Sequence, residues 1–267
     1  MTTNVISSEY MELQKSIYAL YDNWMETLSP QTIVKKEEVE VSTYPLLPQI
    51  EWQIDLKDYH RFLSDLFTVL KKNNAHLNEA LQKVEELLDD ETLTEWFEEA
   101  IMVNTYYFAQ YAEKNQLPEW LPLFAAEHAT RPYLRKAAIE LAGEISEKED
   151  HKGGCPVCGE PSRLAVMNKE GKKEITCPRC HYTWEEKKLS CAHCGTEEQG
   201  QVIVLKVEED DRAEIYACKT CKGYTKVIDT RKWINVSSPE LLDLKTLHLD
   251  YIAQEKGYGV SEGVDTH

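Results

Sequence analysis

Eight cysteines fall between Cys155 and Cys221, and the rest of the chain has none. They form four Cys-x-x-Cys pairs: Cys155/Cys158, Cys177/Cys180, Cys191/Cys194 and Cys218/Cys221. Eighteen residues separate the first pair from the second, and 23 separate the third from the fourth. A Cys-x-x-Cys turn sets two sulfurs on one side of a tight knuckle. Two facing knuckles supply four thiolates in a tetrahedron, which suits zinc or a single iron. The first block, C-x2-C-x18-C-x2-C, fits the zinc-type spacing, and the second is a few residues longer. The spacing predicts two metal ions per chain, iron or zinc, each in a tetrahedral four-cysteine site. Cys155, Cys158, Cys177 and Cys180 would hold one, and Cys191, Cys194, Cys218 and Cys221 the other. A cross-brace, with the first and third pairs on one metal, is the alternative pairing.

The two blocks read as repeats. CPVCGEPS resembles CAHCGTEE, each a knuckle followed by glycine, at Gly159 and Gly195. CPRCHYTWE resembles CKTCKGYTK, each a knuckle followed by a Tyr and a Thr. RLAVM and KKEIT flank the turn-like NKEG in the first block, and QVIVLKV and AEIYA flank EEDDR in the second. Each block is therefore expected to be a β-ribbon around one metal. Two other uses of cysteine fit the pattern less well. Four disulfides need an oxidising compartment. Thioredoxin-like redox chemistry needs one pair at a helix start in a βαβ fold, not four pairs on hairpins. His181 and His193 touch the knuckles but are expected to hydrogen-bond or face water. A closed four-thiolate site has no open coordination position, so it supports folding rather than turnover.

The elements that carry these knuckles follow a helical half. In SSEYMELQKSIYALYDNWMETL, the residues Met11, Leu13, Ile17, Leu20, Trp24 and Leu28 recur at mostly three- and four-residue steps, with Ser7 or Ser8 to cap the start. An irregular stretch runs to about Trp52. A second helix starts near Asp55, with Leu56, Tyr59, Phe62, Leu63, Leu66 and Leu70 inward, and a third covers 75–88. A fourth is expected to run from Glu91 or Thr92 to about Lys114. Pro118 and Pro122 bracket a short turn, and Pro132 is placed in the first turn of a last helix ending near Gly143. Five to seven helices with short links predict an antiparallel bundle. His60, His76 and His128 are expected to be solvated or structural. Trp96, Tyr106, Tyr107, Phe108 and Tyr111 are expected to be core. The acidic run EELLDDETLTEWFEE is expected to be solvated helix face, with a basic-partner site as the alternative.

Charge follows the cysteine boundary. Residues 1–150 carry 13 Lys+Arg against 28 Asp+Glu, a balance of −15, and the remainder is at −2. An electrostatic pull toward nucleic acid or anionic lipid is not expected. With 29% charged and 42% hydrophobic residues the composition is that of a globular protein. No apolar run approaches a bilayer span, and MTTNVISSEY lacks the pattern of a secretory signal, so a cytoplasmic location is expected. The domain reading is 1–150 helical, 151–235 a double metal ribbon after the polar linker EISEKEDHKGG, and 236–267 a C-terminal helix (Pro239 to Lys256) with a tail.

The stretches CPVCGEPS, CPRCHYTWEEKKLSCAHCG and CKTCKGYTK, the tail DLKTLHLDYIAQEKGYG and, before them, LPLFAAEHATRPYLRKAA resemble FdhE, the formate dehydrogenase accessory proteins. The resemblance covers most of residues 115–258, while the first 50 residues and SEGVDTH match nothing. One departure stands at Lys188, where the family usually has Arg; a bidentate carboxylate contact would be lost there. The resemblance implies an α+β chain: an N-terminal antiparallel helical bundle, then two rubredoxin-like or zinc-ribbon modules and a short C-terminal helix. It also implies a maturation factor, not an enzyme, that contacts the formate dehydrogenase catalytic subunit during assembly. Metal-pinned knuckle loops lose little entropy on docking. Trp184, with Lys188 near it, is accordingly the candidate partner-binding position, and ribbon core is the alternative for the indole.

Two rival readings remain at this point. Local basic stretches such as NKEGKK, CKTCKGYTK and DTRK suit a nucleic-acid-binding zinc ribbon, although four thiolates around each ion add negative charge. Iron in the same tetrahedra would suit a redox protein. Neither nucleic-acid binding nor membrane insertion is the preferred expectation, and assembly with further copies of the chain is compatible with the sequence.

Overall fold

The computed structural model describes residues 6–28, 33–35, 44–145, 154–187, 190–207, 210–231 and 237–259. Lys188, most of the linker stretch and SEGVDTH lie outside the described residues. Two compact units emerge, one of residues 8–38 and 50–137, the other of 1–7, 39–49 and 138–266.

The helical unit contains α1 (Ser8–Thr27), α2 (Leu56–Asn73), α3 (Asn78–Leu87), α4 (Asp90–Ile101), α5 (Thr105–Lys114) and most of α6 (Trp120–Leu141). Strands β1 (Ile33–Lys35) and β2 (Ile50–Trp52) pair antiparallel within the stretch expected to be irregular. Asp55 caps α2 by accepting from the Lys57 N–H, and Tyr59, Phe62, Leu63, Leu66 and Leu70 are buried as their spacing predicts. In α1 the buried stripe is Gln14, Ile17, Tyr21 and Trp24, so it includes two polar-tipped residues that apolar counting passes over. Trp24 stacks on Phe62, 4.8 Å between centroids, and its indole N–H donates to Asp65 at 2.9 Å.

Two expectations for the helical half are corrected. The segment 91–114 is two helices, not one. Val103 takes the left-handed φ of 51°, and the Asn104 side chain accepts from the Tyr107 N–H, restarting the chain as α5. A residue that caps its own downstream turn breaks a helix that apolar periodicity alone would continue. Conversely, α6 is one helix through Pro132, which was expected to begin a new one. An interior proline costs about 3 kcal/mol. Tyr133 and Leu134, both fully covered, each return about 1.5–3 kcal/mol, which outweighs it. Among the aromatics expected to be core, Trp96 and Phe108 are buried, but Tyr106 is 70% exposed.

The second unit is built on a six-stranded sheet of β3 (Leu164–Met167), β4 (Lys173–Thr176), β5 (Thr183–Glu186), β6 (Val202–Val207), β7 (Asp210–Cys218) and β8 (Tyr224–Asp229). The spatial order is β5-β4-β3-β8-β7-β6. Each cysteine block supplies three antiparallel strands, and the blocks join through the parallel pair β3·β8, with Leu164 opposite Lys226 and Met167 opposite Asp229. The two expected ribbons are thus one continuous sheet. Alternate residues on one face, among them Leu164, Ala213, Ile215, Ala217 and Ile228, pack with Leu242, Leu249, Ala253 and Tyr258. Those four come from the C-terminal segment, which is two short helices, α7 (Pro239–Lys245) and α8 (Leu247–Glu255), rather than one. Thr246 separates them, its hydroxyl donating back to the carbonyls of Leu242 and Asp243.

Candidate metal centre

All four knuckles share one backbone plan. The N–H four residues after the first cysteine returns to that cysteine's carbonyl: Gly159 to Cys155 at 2.8 Å, His181 to Cys177 at 3.1 Å, Gly195 to Cys191 at 2.8 Å and Lys222 to Cys218 at 3.0 Å. The first cysteine's own N–H reaches one residue further, to the carbonyls of Glu160, Tyr182, Thr196 and Gly223 respectively. The residue after each knuckle must turn left-handed, and the φ values are 79°, 61°, 69° and 61°. Glycine meets that demand without strain at Gly159 and Gly195, whereas His181 and Lys222 adopt it as side-chain-bearing residues. The sequence repeat marked the two glycines; the equivalence of His181 and Lys222 emerges only from the backbone.

The knuckles meet in the sequential pairing, not the cross-brace. Cys155, Cys158, Cys177 and Cys180 form one group and Cys191, Cys194, Cys218 and Cys221 another, with the sulfurs of each group within 4.8 Å of one another. The sulfurs of Cys155 and Cys180 and of Cys158 and Cys177 are 3.5 Å apart, and those of Cys191 and Cys221 and of Cys194 and Cys218 are 3.7 and 3.8 Å apart. A disulfide needs about 2.05 Å, so these are separate thiols. A tetrahedron with metal–sulfur bonds of about 2.3 Å has edges of about 3.8 Å, and the observed spacings lie close to it. Backbone N–H groups of Arg179 and Cys180 point at the Cys177 sulfur, that of His193 at Cys191 and that of Gly223 at Cys221, at 3.4–3.5 Å. Such donors stabilise thiolate over thiol.

The electrostatics of the groups favour a cation. Burial pushes the Cys155 and Cys180 thiols up, while hydrogen bonds from Cys155, Cys177 and Cys180 hold Cys158 well below the ordinary thiol range. Burial likewise pushes Cys191 up to about 11. At Cys218 burial is outweighed by the N–H groups of Cys221 and Thr220 and by the neighbouring thiols, which bring it down to about 7. Burial pushes Cys221 up as well, so each set holds one thiol low, Cys158 or Cys218, beside two that are raised; a divalent ion removes that conflict. The donor set, spacing and N–H donors fit a four-thiolate ion, and the eight cysteines are the residues that could hold two.

The groups differ in shelter. In the first, only Cys158 is partly open; in the second, Cys194 is partly open and Cys221 is exposed. Neither flanking histidine joins a group. His193 is bonded through Nε2 to the Tyr224 carbonyl at 2.7 Å, and His181 through Nε2 to Glu240 on α7. Trp184 lies on β5 opposite Ile175, stacks on Tyr182 and is 8% exposed.

The tail is tied to the second centre by contacts the sequence did not signal. Lys226, 1% exposed on β8, bridges Asp243 at 2.5 Å and Asp250 at 2.7 Å. The Tyr224 hydroxyl donates to the other oxygen of Asp250 at 2.6 Å. The Gly259 N–H reaches the Lys222 carbonyl at 2.7 Å, and a side chain at Gly259 would collide with the Tyr224 ring. On the other side of the sheet unit, Leu46 and Leu47 donate to the carbonyls of Pro156 and Val157, bracing the first knuckle.

Comparison with known proteins gives the context. No family model matches. Over 132 residues the chain is 33% identical to a protein named FdhE homolog from Aquifex aeolicus, covering 47% of this chain and 46% of that one. Over 200 residues it is 24% identical to an FdhE homolog from Haemophilus influenzae strain PittGG, covering 73% and 63%. The chain is similar in sequence to proteins named FdhE homolog. It matches about half the length of these curated relatives. The fold matches the crystal structure of the FdhE protein from Pseudomonas aeruginosa, with a TM-score of 0.62 at 19% identity over 93% of this chain and 85% of that one. Among the described residues no helix is long and apolar enough to cross a membrane.

Proposed function

We propose that this chain is an accessory factor for formate dehydrogenase. In this reading it binds the catalytic subunit during assembly, and it holds one metal ion at Cys155, Cys158, Cys177 and Cys180 and a second at Cys191, Cys194, Cys218 and Cys221. The observation that carries the proposal is the pair of closed four-cysteine groups on one continuous sheet in a chain similar to proteins named FdhE homolog. A bound zinc would pin the knuckles, and a bound iron could in addition carry one electron. Four protein thiols around each ion leave no position for substrate, so the centres suit a rigid recognition module and not turnover. Trp184 and Lys188 are the proposed contacts, and at 8% exposure the indole has little free surface to offer.

The test is co-purification of the catalytic subunit, taken before it is complete, with metal analysis of the same samples. Wild-type chain should retain the subunit and carry two ions. Trp184→Ala should keep both ions and weaken capture by about 2 kcal/mol. Cys177→Ser should lose the first ion and the fold around it together. Wild-type chain that carries its metal yet holds no formate dehydrogenase subunit, complete or incomplete, would refute the assembly role. Normal capture by metal-replete Trp184→Ala would move the docking surface away from β5.

A further inference from the structure

Away from the cysteines, the junction of α5 and α6 in the helical unit holds two adjoining hollows of about 520 and 350 Å³ that share Ala109 and Glu119. Their apolar lining includes Phe108, Leu117 and Leu123. Two large aromatics stand at the margins, Tyr106 at 70% exposure and Trp120 at 49%. Trp120 is held edge-on to Phe124 with centroids 5.5 Å apart, and Tyr106 accepts a hydrogen bond from Gln110 at 2.8 Å. Each ring leaves apolar area open to water beside a hollow that can receive a side chain.

Charge selects the occupant. None of the lining residues is cationic, and the exposed carboxylates of Glu113 and Glu119 have no ion-pair partner among the described residues. The half of the sequence that contains the groove carries −15. An anionic or nucleic-acid partner is repelled there. A small free cation gains little from two exposed carboxylates, each worth at most about 1 kcal/mol in water. A cation that also brings apolar contact gains more: guanidinium over Trp or Tyr faces adds about 0.5–1 kcal/mol or more as water is excluded, and filling an apolar pocket with a leucine-sized side chain adds about 1.5–3 kcal/mol.

We infer that this groove docks a peptide segment in which arginine or lysine alternates with apolar side chains, the apolar groups entering the hollows over Ala109 and the cations meeting Glu113, Glu119 and the faces of Tyr106 and Trp120. The site is separate from the cysteine groups, and its occupation does not depend on the formate dehydrogenase reading.

The experiment uses the full chain with its metal and a short labelled peptide alternating arginine and leucine, followed by fluorescence polarisation. A peptide with glutamate in place of arginine serves as the control. The cationic peptide should bind, and its affinity should fall as salt rises. Trp120→Ala should weaken it about tenfold, and Tyr106→Ala should weaken it less. Glu113→Gln/Glu119→Gln should weaken it about fivefold and flatten the salt dependence. Glu26→Gln/Glu79→Gln, exposed carboxylates elsewhere on the same unit, should leave it within about twofold. Thermal unfolding of each variant verifies the fold. Equal weakening by both double variants would reduce the effect to general acidity and overturn the site. Absence of binding, or equal binding of the glutamate peptide, would overturn it as well.

Discussion

At the scale of single residues, His128 shows how a group with no part in the metal chemistry makes the fold sensitive to acid. It is buried in the helical unit, hydrogen-bonded to the Tyr21 hydroxyl and packed on Phe124, with ring centroids 4.2 Å apart. Burial, reinforced by the positive charge of Arg131, lowers its pKa from 6.5 to about 3. The folded chain therefore refuses a proton that the unfolded chain accepts. Stability from this group is complete above the ordinary value of 6.5 and is lost progressively as pH falls toward 3. At pH 5.5 the loss should be about 1 kcal/mol. Urea midpoints of the helical signal at pH 7.5 and 5.5 measure it. In His128→Gln the drop between the two pH values should shrink by about that amount, even though the variant starts less stable. An equal drop in both proteins would assign the acid sensitivity to the carboxylates instead. From the sequence His128 is either solvated or structural, and nothing there points to Tyr21, which lies 107 positions away.

At the scale of elements, the contact that secures α8 to the sheet is a buried charge. Lys226 sits on the face shared with Ile228 and Tyr224, where an apolar residue would continue the pattern. Its ammonium is matched by Asp250, whose side chain is 15% exposed, and by the more open Asp243. Removing one partner of a buried pair costs about 3–5 kcal/mol, and the remaining Asp243 should reduce this to about 2. Asp250→Ala should accordingly lower the unfolding temperature of the sheet unit, and Lys226→Met/Asp250→Leu should recover most of the loss, because the buried charge goes with its partner. A double variant as unstable as the single one would show that geometry at Asp250, including its bond to Tyr224, matters more than charge. The elements were unevenly legible. Regular apolar spacing located the start of α2 to within a residue, because nothing in it competes with the helix. The α4–α5 break was hidden because Asn104 acts through one side-chain bond to the Tyr107 N–H. The unbroken α6 was hidden because the burial that carries Pro132 is tertiary. The β3·β8 pairing was hidden because it joins strands about 60 positions apart, and a hairpin reading extends only to the next strand.

At the scale of the whole chain, the two units differ in what holds them together. The helical unit has an extended core of Trp24, Tyr59, Phe62, Trp96, Phe97 and Phe108, each 0–1% exposed. In the sheet unit much of the interior around the knuckles is thiol. Structural zinc in zinc-finger peptides contributes about 10–16 kcal/mol of apparent folding free energy, comparable with the roughly 5–15 kcal/mol that separates a whole domain from its unfolded state. We propose that the sheet unit depends on its ions and the helical unit does not. Stripping the full chain with a strong chelator should remove two ions and collapse β-sheet signal and knuckle amide protection in hydrogen exchange, while helices α2 and α4 keep theirs. The ion at Cys191, Cys194, Cys218 and Cys221 should leave first, because Cys221 is exposed and gives a competing ligand its entry, whereas the other group has three buried thiols. Stepwise chelation with native mass spectrometry would resolve a one-ion species, and alkylation of that species should label Cys221 before Cys155. Release of both ions in a single step, or loss of the helical protection together with the sheet, would make metal and fold one cooperative system and defeat the two-unit account.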